Sequence, residues 1–170
     1  GNAPIAAGLA ANVLETDIWT NTSASPADIT YTIIPISGDG CEGNPFTVIA
    51  TINPEPVGVT IAETVCSDQP LGALFTLNTN GTSVAADSYE ITSINNPGGL
   101  TADPGNASVA AGLNANVLET DIWTNTSNSP ADITYTIIPI SADGCQGDAF
   151  TVTATINPEP VGVTIAETVC

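Results

Sequence analysis

The 170 residues contain no Lys, Arg or His but 18 Asp and Glu, a formal net charge of −18. With no cation to neutralise phosphates, the chain excludes nucleic acid as a direct partner, and an anionic membrane surface repels it. It also lacks the imidazole, amine and guanidinium groups that supply most acid–base, Schiff-base and anion-clamping chemistry, so no enzyme is expected.

Hydrophobic residues make up 42% of the chain, too many for a disordered acidic tail. Thr, Ile and Val are abundant and Met is absent, which is the composition of strands. No apolar run approaches the roughly 18 residues that span a membrane, and no insertion is expected. The sequence opens on Gly1 without a signal peptide, and reads as a mature product or as a segment of something longer.

An internal repeat organises everything else. Residues 1–66 recur as 105–170, an offset of 104, and nine of the 66 aligned positions differ, among them Pro4/Ser108, Gly38/Ala142 and Asn44/Asp148. A unit of 104 residues is the size of an immunoglobulin-like sandwich. Pro-Glu-Pro at 54–56 and 158–160 marks the boundaries, because prolines end strands and stiffen linkers. Residues 1–56 are then the later part of one repeat, 57–160 a complete repeat, and 161–170 the first strand of a third.

In chain order, Val57, Val59, Ile61 and Val65 form an inward row. Glu63 breaks the row, which suggests a bulge or a change of sheet. Ala73–Leu77, Tyr89–Ile94 and Asp121–Asn125 are shorter strand candidates, separated by turn-rich stretches such as NTNGTS and NNPGG. From 131 to 137, Ile133, Tyr135 and Ile137 alternate with Asp132, Thr134 and Thr136. From 150 to 156, Phe150, Val152, Ala154 and Ile156 alternate with Thr151, Thr153 and Thr155. Period-2 alternation is the mark of half-buried strands. No segment reads as a helix, and about seven short strands per unit give an all-β sandwich. Tyr135 is expected in the core, with a tyrosine corner as the alternative. Trp123 is most simply a core anchor; the sharper reading makes it a sugar-stacking surface residue.

Cys41, Cys66, Cys145 and Cys170 recur at fixed positions, and an even count in an extracellular repeat reads as disulfides. Cys66 with Cys145 would staple one domain. Cys41 with Cys66 and Cys145 with Cys170 would cross the Pro-Glu-Pro boundaries. An immunoglobulin-like path sets Cys66 and Cys145 at opposite ends, which favours bonds between adjacent domains, and the pairing stays open.

Glu119 and Asp121 alternate on one strand face, while Asp143 and Asp148 flank Cys145. A solvated acidic face is the plain reading. No cofactor is required, and calcium is the cation these oxygens would take, relieving self-repulsion. Asn21, Asn80, Asn106 and Asn125 each begin an Asn-x-Ser/Thr sequon and are candidate glycosylation positions.

The segments ETVCSDQPLG, DIWTNTS, PADITYTIIPIS, GCQGD and ATINPEP, with their near-identical second copies, resemble the PKD-like, immunoglobulin-like tandem repeats of very large surface proteins in the Bacteroidetes. The resemblance covers the complete repeat and the partial one. It implies export by the type IX route and a place in adhesins, including those of gliding motility. The function expected is a structural segment of an extracellular, cell-surface adhesin or stalk. Its partners are neighbouring repeats or identical subunits. The alternatives are a filament subunit completed by strand exchange, and a carbohydrate- or calcium-binding module that uses Trp123 and the acidic loops to meet surface glycans.

Overall fold

The computed structural model describes residues 1–160 and 162–168. In the first copy, β1 (Ala27–Ile33) and β2 (Phe46–Ile52) form an antiparallel ribbon. The second copy contributes β3 (Ile61–Cys66), β4 (Ser88–Asn95), β5 (Leu100–Ala102), β6 (Ala110–Leu113), β7 (Trp123–Asn125), β8 (Ala131–Ile140) and β9 (Phe150–Asn157). Its main sheet has the order β3-β9-β8-β4-β6. All neighbours are antiparallel except β3, which runs parallel to β9 from Ile61↔Val152 to Cys66↔Asn157. The facing layer is built on β5 and β7 and is extended by bridges between Pro70 and Ile122 and between Gly58 and Thr79. The result is an all-β, immunoglobulin-like sandwich.

The alternation in β8 and β9 fixes which side chains fill it. Ile133, Tyr135, Ile137, Val152, Ala154 and Ile156 are fully buried, and the intervening threonines face outward. Ile91 on β4 joins them from the same sheet, and Phe75, Leu77 and Leu118 close the core from the other side. The break at Glu63 has a structural cause. The entering chain pairs first with the facing layer at Gly58, then crosses to β9 as an edge strand, where Glu63 stays in solvent. At the crossing the backbone lies against the Phe150 ring. A Cβ at Gly58 would fall 2.1 Å from that ring, so only glycine fits.

Two sequence expectations change. The 73–77 segment is not a plain strand: Gly72 takes φ 75° and Ala73–Phe75 coil into a short 3-10 turn that drives Phe75 inward. Tyr135 makes no tyrosine corner, since its hydroxyl meets side chains rather than backbone.

In the first copy β1 and β2 keep the register of β8 and β9, with Tyr31 opposite Val48 as Tyr135 is opposite Val152. Among the described residues neither outer edge of this ribbon carries another strand. The face that is core in the second copy is therefore open. Phe46 and Trp19 are exposed, and hollows of about 580 and 1060 Å³ lie along that face.

Candidate functional site

Alternation along 121–123 puts Asp121 and Trp123 on one face, and that face is inside. Trp123 Nε1–H donates to Tyr135 Oη at 2.9 Å, and Tyr135 donates to Asp121 Oδ2 at 2.6 Å. The other carboxylate oxygen accepts the Ala107 N–H at 2.7 Å. Asp121 is wholly buried. Burial raises its pKa above the ordinary range, against the two hydrogen bonds that lower it. Burial, and then Asp121 itself, raise that of Tyr135. With no cation nearby, a buried carboxylate is tolerable only because its lone pairs are met. The same chain of bonds forms in the first copy, from Trp19 to Tyr31 at 2.8 Å, Tyr31 to Asp17 at 2.7 Å and Ala3 to Asp17 at 2.7 Å.

This arrangement overturns the sugar-stacking reading of Trp123, which is 5% exposed. It also takes Asp121 out of any surface cation site. Glu119 accepts a hydrogen bond from Thr76, and Asp143 and Asp148 lie in the β8–β9 loop. Among the described residues no three acidic or cysteine side chains converge as a metal site. The four carboxylates read as calcium ligands are thus not brought together.

Two of the four sequon asparagines are structural. Asn125 is fully buried, and its Nδ2 donates to the carbonyls of Ser129 and Ile156. Its Oδ1 accepts from the Ser127 backbone and hydroxyl, and its N–H donates to Ser67 Oγ. Asn21 repeats the side-chain bonds with Ser25, Ile52 and Ser23. A glycan on either Nδ2 would remove one of the two bonds that pin the loop to the last strand. Asn106 is half-buried and donates to the Ile122 carbonyl. Asn80 is exposed and accepts the N–H groups of Thr82 and Ser83.

Cys41, Cys66 and Cys145 are free thiols; Cys170 lies outside the described residues. Cys66 ends β3 beside Asn157, whereas Cys145 precedes β9. The length of β9, about 23 Å at ~3.3 Å per residue, separates them. The roughly 7 Å limit on Cα separation excludes a bond within one copy. Cys41 with Cys66 fails for the same reason, since each sits at the far end of its own copy.

The feature missed in the sequence is the junction between copies. The second sandwich has a head, where the chain enters at Pro56, and a foot, where it leaves at Pro158. Pro54 and Pro56 are buried, but their counterparts Pro158 and Pro160 are half-buried and exposed. The linkers are identical; only the first runs on into a described sandwich. Glu55 N–H donates to the Asn21 carbonyl on the upstream side at 2.8 Å. Val57 N–H donates to Ser83 Oγ at 3.0 Å on the downstream side. Val84 N–H bridges the copies directly, donating to the Ser23 carbonyl at 3.1 Å. Pro56 lies over Gly147, where a Cβ would come 1.8 Å from the Pro56 oxygen. Burial first, and the nearby Asp148 second, raise the Glu55 pKa.

No curated protein and no solved structure matches the chain. The PKD-like domain family matches it over residues 5–56 and 63–160, a span that takes in both copies and most of the sequence. The chain belongs to the PKD-like domain family.

Proposed function

We propose that this chain is a non-catalytic, structural segment of an extracellular cell-surface stalk or adhesin, in which PKD-like sandwiches follow one another head to foot. The packing of the first linker carries this reading. Pro54 and Pro56 are buried, the Glu55 N–H donates to the Asn21 carbonyl upstream, and the N–H of the adjacent Val57 donates to Ser83 Oγ downstream. Two rigid prolines docked on both sides resist bending in a way that a flexible tether does not. Uniform negative charge keeps near-identical copies from associating sideways. The absence of Lys and Arg leaves trypsin no cleavage site. The repeat resembles those of large Bacteroidetes adhesins exported by the type IX route, and attachment of this kind is the setting proposed for it.

Strand exchange between identical subunits is the weaker reading. Residues 162–168 repeat 58–64 and would supply only a counterpart of β3. The open ribbon of the first copy also lacks counterparts of β4, Phe75 and Leu77, which a neighbouring tail does not bring. A continuous array supplies them all.

The test is the end-to-end distance of chains lengthened by successive 104-residue repeats, measured by electron microscopy. Growth by a constant ~40 Å per repeat is expected from a ten-residue strand plus a three-residue linker. Growth with the square root of repeat number would mean a flexible string and would overturn the stalk.

A further inference from the structure

Each copy holds its two cysteine positions at opposite ends of the sandwich, and these ends meet at the junctions. Cys66 is paired in register with Asn157, the residue just before Pro158. Cys145 lies two residues before Gly147, which packs under Pro56 of the incoming linker. Every linker therefore has a foot cysteine position on its upstream side and a head cysteine position on its downstream side.

The two linkers, read together, bring these loops to one linker. Glu159 follows Pro158 close to Asp68, two positions after Cys66, and Asp68 raises its pKa. Its counterpart Glu55, in the linker that packs over Gly147, is near enough to feel the charge of Asp148, three positions after Cys145. In a continuous array a single linker runs between the two loops, beside the Cys66 position at one end and over Gly147 at the other.

We propose that a disulfide crosses each Pro-Glu-Pro linker, joining the thiol at the Cys66 position of one sandwich to the thiol at the Cys145 position of the next. The proposal rests on the array reading above. The partner of Cys66 belongs to the next head and the partner of Cys145 to the preceding foot. Each bond forms when two S–H groups give up two protons and two electrons to a disulfide oxidant, such as oxidised glutathione or a thiol oxidoreductase, which leaves as two thiols. Such bonds would hold the linker geometry fixed along the array.

The test lengthens the 170-residue chain at its C-terminus by a repeat of residues 67–160, giving Cys66 a downstream head. The folded chain is treated with oxidised glutathione, alkylated with iodoacetamide, cut with Asp- and Glu-specific proteases and mapped by mass spectrometry. Cys66 should lose its alkylation and appear crosslinked to the added copy of Cys145, while in the unlengthened monomer Cys66 and Cys145 stay alkylatable. Cys66→Ser should restore alkylation of the added head cysteine, and Cys145→Ser in the second sandwich alone, whose head peptide is otherwise identical to the added one, should leave the crosslink in place. Full alkylation of Cys66 in the lengthened chain, or a bond from Cys66 to Cys145 of its own sandwich, overturns the proposal. Small-angle scattering on the same sample separates the two readings. An extended rod with alkylated Cys66 removes the disulfide alone, whereas independently tumbling sandwiches remove the array as well.

Discussion

The first and second copies set almost the same sequence in two environments. Trp19 and Trp123 donate to equivalent tyrosines, which donate to equivalent aspartates. Asn21 and Asn125 pin equivalent loops. The apolar side chains differ: Trp19 is 42% exposed and Trp123 5%, Val48 36% and Val152 0%. Polar links within about thirty residues form in either copy. Burial of the same face requires β4 and the 3-10 turn around Phe75, which residues 57–104 supply to the second copy alone. Local pairing and core formation are thus separable, and the second needs a whole 104-residue unit.

The comparison is broken most strongly by removing the same methylenes from both copies. Ile133→Ala should cost about 2–5 kcal/mol in urea unfolding, as for a fully buried side chain. Ile29→Ala, on the open ribbon, should stay within about 0.5 kcal/mol. Equal losses would mean that the first copy already has a core.

Asn125→Ala leaves the Ser129 and Ile156 carbonyls without their donor and should cost about 1–3 kcal/mol, more than Asn21→Ala. At the junction, Gly147→Ala forces a methyl onto the Pro56 carbonyl and should cost about 1 kcal/mol, the lower end for overpacking because a loop can shift. Gly43→Ala meets only the Pro35 ring at 3.0 Å and should cost less. If Gly147→Ala proved as mild as Gly43→Ala in thermal melting, the docked linker would be in doubt.

The smallest effect is on pH. Asp121, Glu55 and Glu159 all have raised pKa values in the folded chain. For an acid this means that the folded state holds its proton more tightly than the unfolded state. The stabilisation is complete below the ordinary carboxylate range and is lost as pH rises through the raised values. With no Lys, Arg or His, acid has no side-chain ion pair to break. The melting temperature should therefore rise from pH 7 towards pH 4, opposite to ordinary acid denaturation. A fall would show that the carboxylates are stabilised by something else.

Much of this was legible in the sequence. Threonines alternating with Ile, Val and Tyr gave β8 and β9, and the misplaced Glu63 marked the place where the entering chain changes layers. The same alternation puts Asp121 in phase with Trp123, a signal of its burial that the acidic-face reading passed over. Asn21 and Asn125 looked like sequons because Asn-x-Ser serves equally to build a loop in which Ser127 and Asn125 satisfy each other. The junction was not legible. Pro-Glu-Pro reads the same at both linkers, and its burial is decided by whether a following head packs on it.

The most direct measurement is hydrogen exchange on β2 and β9, whose peptides differ in mass through Ile49 and Thr153. In the 170-residue chain, 46–52 should exchange markedly faster than 150–156, because only β9 is flanked by strands on both sides. Placing a copy of residues 57–104 ahead of Gly1 should then slow 46–52 to the rate of 150–156. If 46–52 kept its fast exchange after that addition, the first copy would not be an unfinished sandwich of the same kind, and the tandem array would be contradicted.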